Sequence, residues 1–239
     1  MRLAICTKLS AVAAMTVLAA CGTALAAAAA QRPDWSGVWA LTDASFWKAN
    51  LDAYANDIGL TAKYQAIRKQ ARDERHQANQ TTCLPAGATA AHQHGMLFEV
   101  FITPARVLIA FEDGELRRIY TDGSKHRALT ELQNSFMGDS VGHWEGKTLV
   151  VSTIGFPKGE LWQNYGVRAN INTRLDERFF VNTAGELQID SVMTDPEIFV
   201  HPYKFTRLNK KQDLQLHEAA CLQNNREDGT HIDLTPPPE

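Results

Sequence analysis

The feature that most constrains the fold is an alternation of apolar and polar residues that runs through most of the chain from Met96 onward. Because a period of two places successive side chains on opposite faces of an extended backbone, this alternation predicts β-strands. Turn-forming dipeptides such as Asp113-Gly114 and Asp122-Gly123 interrupt it, and no helical pattern lies between the strands. The predicted strands span 96–104, 106–112, 115–122, 147–156, 174–182, 186–194, 197–208 and 213–221, with a polar turn at 209–212.

A further strand is predicted at 33–39, where the sequence reads PDWSGVW. Its Gly-x-Trp pair, Gly37 and Trp39, resembles the first strand of lipocalin-like barrels, in which the Trp closes one end. Strands that follow one another through short turns favour an antiparallel meander closed into a barrel. We therefore expect an all-β, calycin- or lipocalin-like antiparallel β-barrel.

The segment at about 44–80 departs from this pattern. Apolar residues recur there at the spacing of a helix face, and the charged run from Arg68 to Arg75 indicates a solvated face. The apolar positions are Phe46, Trp47, Leu51, Tyr54 and Ile58 in a first helix, and Tyr64, Ile67 and Ala71 in a second. We expect a helical N-terminal insertion that packs on the barrel.

Residues 1–30 have the pattern of a signal peptide with an Ala-rich leader. Arg2 and Lys8 flank the start of a short apolar stretch at 9–20, which is shorter than a membrane span. Two cleavage sites are open: LAAC at 18–21 resembles a bacterial lipobox and would place a lipid on Cys21, whereas ALA at 24–26 resembles an ordinary secretory site. We predict a periplasmic protein, with membrane contact only through that lipid. A single barrel domain would span 31–225, followed by a polar, Pro-rich tail at 226–239.

Export changes what the cysteines indicate. Cys83 and Cys221 are the two that fall within the predicted barrel domain. In an oxidising compartment an even pair suggests a disulfide between them, and the alternative is two buried free thiols. The net charge of -3 and the lack of a basic block argue against a nucleic-acid partner. The sequence contains no Gly-rich phosphate loop, so we expect no nucleotide cofactor.

Several stretches resemble a family of uncharacterised exported bacterial proteins. They are CLPAG (83–87), FEVFITPARVLIAFEDGELRRIYTDGSKH (98–126), MGDSVGHWEGKTLVVSTIGF (137–156), ERF (177–179), TDP (194–196) and HEAACLQNN (217–225). The third is the most specific, because the family pattern resembles G-H/R-W-E-G-D-T-L-V-V-D-T-x-G-F. The chain departs from that pattern at Lys147 and Ser152, where the family usually carries Asp. The resemblance implies export and fold, and it attaches no reaction or cofactor.

The strongest local candidate for chemistry is DSVGHWEG, which we interpret as a Gly-rich loop before a strand. It brings Asp139, His143 and Glu145 close together, with Trp144 as an apolar wall. A histidine beside a carboxylate is oriented by it and suits general acid–base work. The alternative is a tight turn in which the glycines meet backbone needs and Trp144 closes the barrel.

Ionisable residues also interrupt the apolar strands. On an inward face, such residues would have the shifted pKa values that are typical of acid–base sites. The alternative is outward salt bridges or one buried structural ion pair. The catalytic candidates from this pattern are Arg118, Tyr120 and Glu177, with His126 after the Asp122-Gly123 turn as a second candidate base. The ligand-binding candidates are Trp144, Trp39, Tyr203 and His201.

Two other chemistries are less well supported. His92 and His94 form an H-x-H pair, but the Ala-rich stretch around them resembles a loop with no carboxylate or Cys nearby, so we expect no metal site. A serine nucleophile is disfavoured because the chain has no G-x-S-x-G motif.

These observations favour a cofactor-free enzyme of lyase or isomerase type. It would act by acid–base chemistry on a small apolar or aromatic molecule in the barrel cavity. The alternative is a non-catalytic periplasmic binding protein or lipoprotein for a hydrophobic ligand, because barrels of this kind commonly only carry their ligands. Fold alone does not decide between them.

Overall fold

The computed structural model describes residues 32–45, 58–73, 85, 87–89, 96–157 and 169–217. The chain divides into two units, Met1–Asp34 and Trp35–Glu239, and the second contains every strand described below. The predicted signal peptide, the tail at 226–239 and the residues Cys21, Cys83, His92, His94 and Cys221 lie outside the described residues.

The described residues form a closed barrel in which the strands follow one another around the circumference in chain order. The first and last strands pair with each other and close it. The strands are β1 (Val38–Leu41), β2 (Phe98–Ile102), β3 (Arg106–Phe111), β4 (Leu116–Tyr120), β5 (Asp139–Glu145), β6 (Thr148–Ile154), β7 (Arg174–Val181), β8 (Leu187–Thr194) and β9 (Tyr203–Gln212).

The predicted alternation accounts for the inside and outside of this barrel. Along β6 every second residue is buried, and the same alternation holds along β8 and along β7 up to Val181, which is exposed. The inward apolar residues form two clusters. One centres on Trp35, Phe98, Ile109 and Leu149, and the other contains Leu175, Ile198 and Phe199. Burial of these side chains removes apolar surface from water, which is the main favourable term in folding.

One strand pair corrects the prediction of a wholly antiparallel barrel. β4 and β5 run parallel, with Ile119 opposite Ser140 and Tyr120 opposite Val141. Parallel neighbours need a long connection, because the chain must return to the end from which it started. Residues 121–138 supply that connection, which we call the crossover segment, and it contains a short 3-10 helix at Leu129–Glu131.

Three boundaries also differ from the prediction. DSVGHWE forms β5 rather than a loop, and Gly142 is needed there because a Cβ on it would lie 2.9 Å from the carbonyl oxygen of Val150. The predicted turn at 209–212 is the end of β9. Residues 213–217, which are the described part of the strand predicted at 213–221, do not belong to the sheet. β9 begins only at Tyr203, after the turn-rich residues 195–202.

Helix α1 (Ala62–Asp73) lies within the segment predicted to be a helical insertion. Its Tyr64 is buried in the second apolar cluster together with Leu60. Leu60 also pairs with Phe199 in an isolated β-bridge, which ties the segment before α1 to the residues before β9. Within the described residues, no helix is long and apolar enough to cross a membrane.

Candidate functional site

The barrel interior holds a charged pair among its apolar side chains. Arg117 and Glu177 have side chains that are 0% and 2% exposed. Arg117 donates from Nη1 to Oε1 of Glu177 at 3.2 Å, and Nη2 donates to Oε2 of the same carboxylate. Nη2 also donates to Oγ1 of Thr153 at 2.9 Å, and the Thr153 hydroxyl lies 2.9 Å from Oγ of Ser140. A bidentate guanidinium–carboxylate pair with further hydrogen bonds satisfies the charges that burial would otherwise penalise.

A second charged cluster lies on the outer face of the barrel, where the crossover segment passes β5 and β6. Nδ1 of His126 lies 3.0 Å from Oδ2 of Asp139, and Nε2 of the same ring lies 3.0 Å from Oγ of Ser152. The side chains of His126 and Asp139 are 18% and 16% exposed, so solvent reaches both. We call these three residues the outer cluster.

The strand register explains how the outer cluster forms. Asp139 pairs with Ile154 and Val141 pairs with Ser152, which puts Asp139 and Ser152 on one face of adjacent strands. Residues that lie diagonally across two strands are within reach of one bridging side chain. His126, two residues beyond the turn at Ser124, supplies that bridge.

The hydrogen bonds determine the tautomer of His126. An ionised Asp139 can only accept, so Nδ1 of the neutral ring carries the proton and donates it to Oδ2. Nε2 then has a free lone pair that accepts the hydroxyl hydrogen of Ser152. This arrangement presents an oriented base at a hydroxyl group.

A cavity of about 570 Å³ opens on the outer face of β5 to β8, and Ser152 is part of its wall. Val141, Val150 and Val192 supply apolar wall, and Arg174 and Asp176 supply charge. The volume lies within the range of roughly 300–1,000 Å³ that is usual for small-molecule sites. A second cavity of about 460 Å³ is lined in part by Arg118, Tyr120 and Asp139.

The other predicted catalytic residues are distributed between these places. His143 is 66% exposed, lies 3.3 Å from Glu145 and also lines the 570 Å³ cavity. Glu145 accepts a hydrogen bond of 2.9 Å from Nη2 of Arg178. That bond, with a further one from His143, holds the pKa of Glu145 below its usual range. Glu177 belongs to the interior pair described above.

The predicted ligand-binding residues lie mainly in the packed interior or at its ends. Trp39 is buried and donates from Nε1 to the carbonyl oxygen of Trp35 at 2.9 Å, and Trp144 packs on Trp35 with ring centroids 5.3 Å apart. Tyr203 stacks on Phe199 with a centroid distance of 5.7 Å, and His201 is exposed. Among the described residues, none of these four side chains hydrogen-bonds to the outer cluster.

Sequence reasoning missed two residues, Arg117 and Ser152. On β4 the inward positions are Arg117 and Ile119, whereas Arg118 is exposed. Arg117 and Arg118 are adjacent, so one of them points into the barrel whichever face of β4 is turned inward. The alternation alone therefore does not choose between them. Ser152 departs from the family pattern, but no local motif surrounds it that would indicate a role.

The described residues contain no group of three or more His, Cys, Asp or Glu side chains that could hold a metal ion. No family model matches the chain, and no curated protein matches it.

Proposed function

We propose that this protein is a cofactor-free acid–base enzyme that acts on a small, largely apolar or aromatic molecule. His126 is its proton-transfer group and Asp139 orients it. The observation that carries the proposal is the pair of 3.0 Å contacts that fix the imidazole between Asp139 and the wall of a cavity. The sequence favoured His143 for this role, but its high exposure leaves it less firmly oriented.

A lyase or isomerase reaction needs little more than such a base. When the bound molecule takes the place of the Ser152 hydroxyl at Nε2, the neutral nitrogen removes a proton from it, and the same nitrogen returns the proton at another atom or gives it to a leaving group. Asp139 stabilises the imidazolium that forms between these steps, because its carboxylate already accepts the Nδ1 hydrogen. The valine side chains of the cavity favour an apolar or aromatic substrate.

Deuterium uptake tests the proposal even though the substrate is unidentified. The protein would be incubated in D2O with a panel of small aromatic and apolar carbonyl compounds, and exchange of C–H hydrogens followed by NMR. His126→Ala should lower the exchange rate by about 10²–10⁴-fold, the usual contribution of a general base. His217→Ala, which removes an exposed histidine outside the strands, is the matched control.

Equal rates in the wild type and His126→Ala would overturn this assignment. His143→Ala serves as a separate arm, because loss of exchange in that variant alone would return the role to His143. A variant is compared only after its thermal unfolding shows that it is folded.

The alternative function is a non-catalytic binding protein for a hydrophobic ligand, and the valine-lined cavity is the observation that favours it. A compound that binds with unchanged affinity in His126→Ala, and undergoes no exchange in any variant, would support the binding protein over the enzyme.

The finer type of fold and the cellular location belong to the same proposal. A calycin- or lipocalin-like barrel with a helical insertion at about 44–80 is supported by the buried Trp39 of β1 and by α1. The parallel β4–β5 pair is a departure from an up-and-down barrel. Carbon chemical shifts within 44–80 should be helical on both sides of the break that contains the Leu60 bridge, and extended shifts on both sides would refute the insertion.

Membership of the exported family, and periplasmic location, rest on the sequence patterns alone. The intact mass of protein recovered from its own cells would test them. We expect a chain that begins at a lipidated Cys21 or after Ala26 and lacks two hydrogens because Cys83 and Cys221 are bonded. A full-length chain with four titratable thiols, from Cys6, Cys21, Cys83 and Cys221, would contradict both expectations.

A further inference from the structure

We propose a further activity at the outer cluster: hydrolysis of carboxylic esters of small apolar or aromatic molecules, with Ser152 as the nucleophile. The inference rests on the proposed function, because the base that would activate Ser152 is His126. It adds a covalent step that acid–base chemistry alone does not require.

The contacts of His126 have the order that nucleophilic catalysis uses. A serine hydroxyl is a weak nucleophile until an adjacent base accepts its proton, and the base is oriented by a third group. Here Asp139 contacts Nδ1 and Ser152 contacts Nε2, each at 3.0 Å. These are the two ring nitrogens and the two partner types of a Ser-His-Asp triad, which is recognised by geometry rather than by sequence position.

Position separates Ser152 from its neighbour Thr153. The Thr153 hydroxyl is fully buried and is hydrogen-bonded to Arg117 and Ser140, which is a structural role. Ser152 points to the opposite face of β6 and lines the 570 Å³ cavity. A bound molecule can therefore reach the Ser152 hydroxyl without opening the barrel.

The same cavity contains a cation for the charge that develops on an ester carbonyl. Asp176 lies directly opposite Ser152 on β7, and Nε of Arg174 donates to its two carboxylate oxygens at 2.9 and 2.8 Å. Arg174 thereby pairs with the carboxylate opposite Ser152, and its guanidinium lies at the cavity wall. Donors aimed at the developing oxyanion are usually a large contribution to acyl transfer.

The reaction balances with water as the second reactant. Oγ of Ser152 bonds to the carbonyl carbon while its proton passes to Nε2 of His126. The bond from that carbon to the alcohol oxygen then breaks, and the imidazolium returns the proton to the departing alkoxide. Water attacks the acyl-serine, gives one proton to His126, and releases the carboxylic acid as Oγ regains its hydrogen.

Covalent labelling tests the inference directly. The full chain would be treated with a fluorophosphonate, and the adduct located by peptide mass spectrometry, while p-nitrophenyl butyrate reports hydrolysis. We expect one adduct, on Ser152. Ser152→Ala and His126→Ala should each lower the labelling and hydrolysis rates by at least about 10²-fold. Ser135→Ala, which removes an exposed hydroxyl of the crossover segment, should leave both rates unchanged.

The outcomes separate this inference from the proposed function. An adduct on another residue, no adduct on the folded wild type, or full hydrolysis by Ser152→Ala would each overturn the nucleophile. If deuterium exchange were then lost in His126→Ala and kept in Ser152→Ala, the acid–base function would stand without it. Loss of neither activity in His126→Ala would overturn both.

Discussion

The interior pair and the outer cluster take partners from adjacent residues of the same two strands, Ser140 and Thr153 for the interior pair and Asp139 and Ser152 in the outer cluster. On β5, Asp139 points outward and Ser140 inward, and on β6, Ser152 points outward and Thr153 inward. Each cluster joins a cationic or basic side chain to a carboxylate and to a hydroxyl from β6. The period of a strand thus places similar chemistry back to back on the two faces of one sheet.

Access to water makes the two clusters different. The interior pair is closed to solvent, and its carboxylate is committed to Arg117. The outer cluster is partly exposed and next to a cavity, so a proton or a ligand can enter and leave. If the proposed function holds, the outer cluster performs the chemistry, and the interior pair, closed to solvent, contributes to the fold.

Breaking the interior pair should have the largest effect. Glu177→Gln leaves the guanidinium of Arg117 buried without a counter-charge, and the removal of one partner of such a pair typically costs about 3–5 kcal/mol. Urea unfolding followed by fluorescence would measure the loss. Glu131→Gln, in the exposed 3-10 helix, is the matched control and should stay within about 0.5 kcal/mol of the wild type. A loss of similar size in both variants would show that Glu177 has no special role.

Removing both charges of the interior pair should cost less than removing one. The double variant Arg117→Met, Glu177→Leu replaces the pair with apolar side chains of similar volume, a change that is often neutral or stabilising in other proteins. We expect it to recover most of the stability that Glu177→Gln loses, again by urea unfolding. A double variant as unstable as the single one would mean that the hydrogen bonds to Ser140 and Thr153 are themselves required.

Asp139→Asn, in the outer cluster, should affect stability less than Glu177→Gln does. It replaces the charged partner of His126 with a neutral one and removes the charge that lies 3.8 Å from Nη2 of Arg127, and because the site is partly exposed we expect a cost of about 1–2 kcal/mol. Chemistry should suffer more, since an amide that donates to Nδ1 would place the ring proton on Nε2, away from its accepting role. Thermal unfolding and the deuterium-exchange rate would be measured on the same sample. A large loss of stability with unchanged exchange would reverse our division of roles.

Much of the barrel could be predicted because most of its strands and turns are indicated by residues that are close together in the sequence. Alternation along residues 148–154, 174–181 and 187–194 identifies strands, and short turns identify their neighbours. The strand β5 could not be predicted in the same way, because Gly142 and Gly146 resemble a loop signal. The parallel pairing of β4 with β5 has no local signature either, since it depends on where the crossover segment returns.

The candidate site could be predicted only in part. His126 and Asp139 could be named as ionisable residues near turns, but their contact spans 13 positions, and the contact of His126 with Ser152 spans 26. Such contacts depend on strand register rather than on spacing. The sequence favoured the motif around His143, but this motif forms the strand β5. Successive side chains of a strand point to opposite faces, so Trp144 points away from the imidazole of His143.

The smallest effect should come from the ion pair of Glu145 with Arg178, which lies on the outer face with both side chains about half exposed. Hydrogen bonds from Arg178 and then His143 lower the pKa of Glu145. A carboxyl group whose pKa is lower in the folded state stabilises the fold above its unfolded pKa, and that contribution is lost as the pH falls through the folded value. Glu145→Gln should therefore match the wild type in urea unfolding at pH 2, well below the usual glutamate pKa of about 4.3, and be at most slightly less stable at pH 7. Because solvent and salt screen exposed charges, the difference at pH 7 should shrink further in 1 M NaCl. A large, salt-independent loss at pH 7 would show that the outer face, and not only the interior, depends on a structural ion pair.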